Sequence, residues 1–583
     1  MNPNKTPDLD YLRLVKKSRR AEASPAGTEL RIALLSDAAT QQFVPVLSCL
    51  LAENGIRGRF YEAPFDAIEL ETIDAASGLY EFKPDVVLLI NATQALRQRY
   101  YAHGIDPEID RVRRTWDAIA AHGACRIIQC NFPLPYERPF GQFDLKIGRS
   151  FYSATQALNA GVARLAAGRP DVLLCDLESV ASYLGRRTWF DERMWDMNKT
   201  FCSLEHLPWA GSAMLDVVLA GLGRVIKCVV LDLDNTLWGG VVGDLGALGV
   251  EAGAHGEGEP FHRFQQYLMT LKQRGILLTV CSKNDMANAI SPFEKNPDMV
   301  IKRDDITVFV ANWENKADNL RAIRDTLDIG FDSMLFLDDN PFERNLVRTY
   351  LPEVIVPELP EDPADFIRAL SELNLFEATS FSAEDVARSA LYKQEADRRQ
   401  AQAAYTDVTE YLKSLEMRIS VARFDAQKIG RISQLFLRSN QFNLTTRRRS
   451  EQDCIAMMLD EAGCIPLQAE LADRFGDHGL ISIVVARPEA DALRITDWLM
   501  SCRVLGRGVE QFLMNRCFVL ARERNLPAVR GEYLPSSKNG MVRDFWARFG
   551  FRQTGESGWE LAVADYAPQT VFIREGDLGP SRD

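Results

Sequence analysis

Residues 229–243 read VVLDLDNTLWGGVVG. An apolar run ends at Leu231 and delivers two carboxylates, Asp232 and Asp234, with Asn235 and Thr236 directly behind them. Alternate side chains of a strand share a face, so this spacing sets both carboxylates on one side of a strand end. Two carboxylates so placed need a cation between them or a shared proton. The arrangement suits phosphoryl transfer, in which one aspartate attacks phosphorus and the other moves the proton.

Working outward, three further clusters follow in order. Residues 276–281 (ILLTVC) run into Ser282, Lys283 and Asn284. Trp313–Glu314–Asn315–Lys316 offers a lysine at the start of a helical pattern. Residues 334–337 (MLFL) run into Asp338, Asp339, Asn340 and Pro341. Strand-like runs ending in polar clusters suit an open α/β sheet, where ligands bind beyond the carboxyl ends of the strands. The set resembles the four motifs of the haloacid dehalogenase (HAD) superfamily: DxDNT, serine, lysine and an acidic pair. The longer strings DLDNTLWGGVVGD, CSKND and FLDDNPFERNLVR are narrower and resemble the FkbH-like family, over Val225 to Phe572.

That resemblance implies roles residue by residue. Asp232 is the expected nucleophile, forming an aspartyl phosphate, and Asp234 the expected acid and then base. Ser282 would hydrogen-bond the phosphoryl oxygens, with Lys283, Asn235 and Thr236 as further phosphate-binding candidates. Lys316 would neutralise charge on the phosphate and on Asp232. Mg²⁺ would be held by Asp232, the backbone carbonyl of Asp234 and Asp338, with Asp339 as a second candidate ligand. Gly239, Gly240 and Gly243 flank Val241–Val242 and read as a short hairpin flap, or as a plain turn. The stretch between the first two motifs is too short for a large cap domain, so a bulky substrate or partner protein can reach the aspartates.

A second signal lies downstream. Residues 493–503 look like a strand that runs into Arg503–Val504–Leu505–Gly506–Arg507–Gly508 and then a helical stretch, VEQFLMNRCFVLARERN. Glycines there let backbone N–H groups approach an anion, and a helix N-terminus favours negative charge. The R-x-x-G-x-G pattern resembles the pyrophosphate loop of the GNAT acyltransferases. The later VRGEYLPSSKNGMVRDFWARFGF, with Asn539, resembles the next strand and helix of that fold. These enzymes bind coenzyme A, whose pantetheine arm is shared with acyl carrier proteins. Cys502 sits directly before the loop, where Arg503 and the helix N-terminus would favour its thiolate. It is the candidate acyl acceptor, with Cys281 as rival; the alternative for either is a small buried hydrophobe. His478, one of 6 histidines, lies in a charged loop after Asp473 and is a candidate general base, or a residue that closes a turn. The cluster Arg447–Arg448–Arg449 either meets an acidic carrier or forms a solvated helix start.

The chain has 583 residues, enough for about two to four domains. The expected fold class is multidomain α/β. Residues 1–215 form an SGNH-like α/β domain, 216–375 a HAD-type Rossmannoid domain with minimal cap, 376–415 a helical linker opened by Ser382, and 416–583 a GNAT-like α+β domain. Ser36 takes the place of the SGNH-hydrolase serine, but the Asp-x-x-His partner is missing: His206 follows Glu205 without an aspartate three residues before it. The first domain is therefore expected to be non-catalytic. The polar N-terminal stretch lacks the core of a signal peptide, and no apolar run is long enough to span a bilayer. The 11 cysteines are scattered without a CxxC pair, which fits a reducing cytoplasm better than a disulfide framework. A net charge of −13 argues against bulk nucleic-acid binding, and no membrane association is expected.

The FkbH-like resemblance joins both signals into one reaction. A glyceryl group would pass from 1,3-bisphosphoglycerate, a glycolytic phosphoglycerate, to an enzyme cysteine and then to the phosphopantetheine thiol of an acyl carrier protein. The aspartate site would remove the remaining phosphate, and the product would enter polyketide or related biosynthesis. The alternative is a phosphatase for another small phosphoester with a GNAT-like binding module. A carrier-binding scaffold with decayed sites is disfavoured by the intact set of Asp232, Asp234, Ser282, Lys316 and Asp338.

Overall fold

The computed structural model describes residues 9–21, 28–123, 125–148, 150–379, 381, 392–394, 407–439, 442–501, 504–536 and 539–576. The chain divides into two compact units, Met1–Ser389 and Ala390–Asp583.

The first unit holds two parallel sheets. Strands β1 (Thr28–Ser36), β2 (Ile56–Glu62), β3 (Val86–Ile90), β4 (Arg126–Cys130) and β5 (Val172–Cys175) are ordered β2-β1-β3-β4-β5. Residues 32–35 of β1 and Val86–Ile90 of β3 are apolar without alternation because helices cover both faces, whereas the edge strand β2 carries exposed charged residues. Ile32, Leu34, Val86 and Leu88 share one core with the helices Val44–Glu53 and Leu207–Gly221. The intervening Ala33, Leu35, Val87 and Leu89 share another with the helices Asp106–His122 and Phe151–Ala166. Helix Leu207–Gly221 corrects the expected boundary after residue 215. Its Val217 and Val218 pack in the same core as Met214 and Leu215, so the layer runs to the helix end.

The second sheet has the order β8-β7-β6-β9, with β6 (Cys228–Leu231), β7 (Leu277–Ser282), β8 (Val308–Ala311) and β9 (Met334–Leu337). Leu231 pairs with both Val280 and Leu337, which brings the carboxyl ends of β6, β7 and β9 side by side. Val229, Leu231, Leu278, Val280, Leu335 and Leu337 bury one face against Phe264 and Leu268 of the helix Glu259–Gln273. Alternate residues Val230, Cys281 and Phe336 are fully buried on the other face.

The second unit is built on an eight-stranded mixed sheet. In order these are β15 (Arg552–Gln553), β16 (Gly558–Ala562), β14 (Ala528–Glu532), β13 (Ala492–Met500), β12 (Gly476–Pro488), β11 (Ile465–Asp473), β10 (Arg418–Arg423) and β17 (Arg574–Glu575). β13 and β14 run parallel but pair only as far as Ile495 with Gly531, after which β13 leaves β14 and continues to Met500 paired with β12. The chain then turns into the helix Val509–Glu523. The expected linker helix after Ser382 lies outside the described residues, as do Cys502 and Arg503. Among the described residues, no helix is long and apolar enough to cross a membrane.

Candidate active site

Asp232 is the first residue beyond β6, and its N–H donates to the Leu337 carbonyl at 2.9 Å, prolonging the ladder with β9. The chain then coils: the Leu237 N–H reaches the Leu233 carbonyl at 2.7 Å. Asn235 takes a left-handed conformation, φ 55°, which asparagine tolerates better than most residues. This turn leaves Asp232 and Asp234 at the mouth of the sheet. β9 delivers Asp338 to the same place.

Lys316 opens the helix Lys316–Leu327, whose first turn is fixed by Asn315 accepting from the Ala317 N–H at 2.7 Å. Its Nζ lies 2.8 Å from Asp232 Oδ2 and 2.5 Å from Asp338 Oδ2. Burial works against the Lys316 charge, but the two carboxylates outweigh it and hold its pKa above the ordinary lysine range. Asp338 is pushed upward by burial first and the Asp232 charge second, with Lys316 pulling the other way. Asp339 is raised by burial as well. One carboxylate oxygen from each of Asp232, Asp338 and Asp339 lies within 4.8 Å of the others. Three converging hard oxygens that leave room for water fit a small divalent cation.

Asp234 faces a different set of partners. Its Oδ1 accepts from Trp238 Nε1 at 2.9 Å and from the Val242 N–H at 3.0 Å, and its Oδ2 from Asn284 Nδ2 at 3.2 Å. Burial raises its pKa, and the bonds from Val242 and Trp238 only partly offset this. A carboxyl that holds its proton more tightly suits a general acid. Trp238 and Asn284 were not among the expected site residues, although both lie inside the quoted motifs. Ser282, the last residue of β7, is buried at this mouth, and its hydroxyl makes no hydrogen bond among the described residues.

Five expectations need correction here. The Thr236 hydroxyl accepts from the Asp339 N–H at 3.0 Å, so this fully buried side chain braces the acidic pair instead of meeting phosphate. Asn235 Oδ1 accepts from the Gly240 N–H at 2.9 Å and anchors the flap. Lys283 is bound to Glu343 at 2.7 Å. The flap is not a hairpin: one bridge, Gly239 to Glu251, closes a loop containing the short helix Val242–Leu245. Cys281 is fully buried and its thiol pKa is driven well up by burial, so it is not an accessible thiolate.

In the second unit, His478 lies in β12 rather than in a loop. Its Nε2 is 2.9 Å from Asp473 Oδ2 and 3.3 Å from Arg507 Nη1, and all three side chains are buried. Arg507 is thereby turned into the protein, not toward an anion. Gly506 and Gly508 have the positive φ angles of 72° and 90° that the loop turn requires. The Gly506 N–H donates to Glu510 Oε1 at 3.3 Å. Asn539 is fully buried; it donates to the carbonyls of Asn443 and Leu534 and accepts from the Ser536 N–H, so it ties a loop together. Each arginine of the cluster has an intramolecular partner: Arg447 pairs with Glu532, Arg449 with Asp497, and Arg448 donates to the Phe436 carbonyl. Arg448 nevertheless stays exposed, and Arg447 and Arg449 are partly so. In the first sheet, the Ser36 hydroxyl donates to the Ile90 carbonyl at 2.8 Å, and His206 is bonded to Ser203 at 2.9 Å and stacked on Trp189.

Comparison with known proteins gives the following. The family described as FkbH, N-terminal domain, matches residues 31–219. The N-terminal part of the Bacteroides fragilis protein BF1531, containing a phosphatase domain and complexed with Mg, is 39% identical. It aligns over 64% of this chain and 100% of its own, with a TM-score of 0.60. The ribosomal-protein-S18-alanine N-acetyltransferase of Escherichia coli aligns over 25% of this chain and 94% of its own, at 10% identity and a TM-score of 0.20. The PaiA N-acetyltransferase of Thermoplasma acidophilum, in complex with coenzyme A, aligns over 25% and 98%, at 11% identity and 0.21. No curated protein matches the sequence.

Proposed function

The chain belongs to the FkbH-like family and is an enzyme of the HAD phosphatase type; on that premise we propose that it loads a glyceryl unit from 1,3-bisphosphoglycerate onto the phosphopantetheine thiol of an acyl carrier protein and removes the remaining phosphate. The observation that carries the phosphatase half is Lys316 Nζ held between Asp232 and Asp338 at the carboxyl ends of two neighbouring strands. Asp232 attacks phosphorus in line, and the electron pair of the breaking P–O bond goes to the alcohol oxygen. Asp234, oriented by Trp238, Asn284 and the flap, gives that oxygen its proton and then takes one from the attacking water. Lys316 and Ser282 face the charge that develops on the phosphoryl oxygens. Mg²⁺, the ion of the Bacteroides fragilis structure, is the cation we assign to Asp232, Asp338, Asp339 and the Asp234 carbonyl. When bound it supplies the positive charge that lets an anionic nucleophile approach an anionic substrate.

For the transfer half, Cys502 remains our candidate acyl carrier. The second reading, a phosphatase with a binding module in place of an acyltransferase, is favoured by the inward Arg507 and by Glu510 on the Gly506 N–H. One experiment separates them. The protein is mixed with bisphosphoglycerate, Mg²⁺ and a pantetheinylated carrier, and the carrier is weighed intact. A glyceryl mass gain that Cys502→Ala abolishes supports transfer; phosphate release without any carrier adduct supports the second reading. Asp232→Asn lowers phosphate release by roughly 10³-fold or more.

A further inference from the structure

The first sheet carries a cleft that the phosphatase chemistry does not use. It has a volume of about 290 Å³ and is lined by Pro135, Tyr136, Arg138, Tyr152, Ser182 and Arg186. Pro135, Tyr136 and Arg138 stand on the loop after β4, Ser182 on the helix Leu177–Leu184 after β5, and Arg186 just beyond that helix. Tyr152 lies in the first turn of the helix Phe151–Ala166. The cleft is thus built from the segments that follow two neighbouring parallel strands, at the end where open α/β sheets bind ligands.

The loops that form it are braced by the fold itself. Asn131 Nδ2 donates to Asp176 Oδ1 at 2.6 Å, and Asn131 Oδ1 accepts from the Glu178 N–H at 3.0 Å, which ties the segments after β4 and β5 together. The Leu134 N–H donates to Glu178 Oε2 at 2.5 Å. Asn159 clasps Phe132, accepting from its N–H at 3.0 Å and donating to its carbonyl at 2.7 Å. Loops already fixed lose little freedom on binding a ligand.

Charge says what fits. None of the six lining residues is acidic, in a chain whose net charge is −13. Of the carboxylates nearby, Glu137 pairs with Arg97 and Glu178 with Arg186. Both lining arginines meet one tyrosine. Arg138 Cζ sits 4.6 Å from the centroid of the Tyr152 ring. Burial lowers the Arg186 pKa, but Glu178 and then the neighbouring Tyr152 outweigh it and raise the pKa above the ordinary arginine value. Arg138 is the less satisfied of the two. Its Nε stays 3.7 Å from Asp144 Oδ2, beyond hydrogen-bond distance, and neither its Nε nor its Nη2 makes a hydrogen bond among the described residues. Buried donors are nearly always matched, so this guanidinium lacks acceptors that the fold does not supply. Two arginines brought to one cleft by different elements suit a tetrahedral oxyanion, whose terminal oxygens need donors from several directions. A planar carboxylate is filled by a single arginine fork.

We propose that this cleft binds the phosphate group of a small phosphate monoester, with Arg138 and Arg186 on the phosphoryl oxygens and Tyr136 and Tyr152 beside the carbon chain. The volume suits a molecule of a few carbons. No lining residue is acidic or a histidine, so the cleft is a binding site and not a second reaction centre.

Calorimetric titration of the full chain in metal-free buffer tests this, with glycerol 3-phosphate as the probe and glycerate and glycerol as its carboxylate and neutral counterparts. Glycerol 3-phosphate is expected to bind the parent, and Asp232→Asn should retain that binding. Arg138→Gln should weaken it by about tenfold or more, and Arg138→Lys should regain part of the loss. In the parent itself, the probe should slow modification of Arg186 by phenylglyoxal, read by peptide mass, and leave Arg368, whose side chain is 68% exposed, unaffected. That readout decides if Arg138→Gln does not fold. No binding to the parent, glycerate or glycerol bound as tightly as the ester, or Arg186 labelling that the probe does not slow overturns the proposal. So does binding that Asp232→Asn abolishes and Arg138→Gln leaves intact.

Discussion

At the scale of single residues, the site turns on one ammonium group. Lys316 is 2% exposed and neutralises two carboxylates that would otherwise face each other in a buried setting. Removing one member of such a cluster costs about 3–5 kcal/mol, because the remaining charges stay buried without compensation. Lys316→Met is therefore expected to melt several degrees below the parent in metal-free buffer, and millimolar Mg²⁺ should recover part of the loss. Thermal unfolding with and without Mg²⁺ checks this; an unchanged midpoint would refute it. Lys283 shows why residue type and proximity are not enough. It follows Ser282 directly, and successive side chains of an extended chain point to opposite sides. With Ser282 at the mouth, Lys283 is carried away from it to Glu343.

At the scale of elements, the flap orients the proton-transfer group. The Val242 N–H at the start of its short helix holds Asp234 Oδ1. The loop can close only around a glycine at position 249, where a Cβ would sit 2.3 Å from the Leu245 carbonyl oxygen. Backbone cannot yield as a flexible side chain does, so Gly249→Ala must displace the turn. Losing the one hydrogen bond to Asp234 is worth about 1–1.5 kcal/mol. The variant is thus expected to lose about tenfold in phosphatase turnover with little change in melting temperature. Turnover equal to the parent's would show that the flap does not orient Asp234. Much of this element was legible: three glycines after the DxDNT run announce a tight excursion. Its helical turn was not, because the conformation depends on Glu251 returning to bridge Gly239, from beyond the local pattern.

At the scale of the whole molecule, acid sensitivity of the first sheet's layer is expected to come partly from His206. Burial lowers its pKa below the ordinary histidine value, so the folded state keeps it neutral where the unfolded chain takes a proton. Stability therefore falls as pH drops below the unfolded histidine value of about 6.5. The difference in melting temperature between pH 7.5 and pH 5.5 should be smaller in His206→Gln than in the parent; an equal difference would assign the sensitivity elsewhere. The same scale separates what the chain announces from what folding settles. The sequence by itself determined the order of acidic, serine, lysine and acidic clusters, the strands that end in them, and hence the parallel sheet and its chemistry. These are local patterns, and parallel pairing needs only neighbouring strands and crossovers to bring their ends together. Only the tertiary structure decided which polar groups remain for a substrate. Thr236 is taken by Asp339, Arg507 by Asp473 and His478, and Arg447 and Arg449 by Glu532 and Asp497, far along the chain. A buried polar group must be matched, and its match is chosen by packing between elements distant in sequence, which no short pattern encodes.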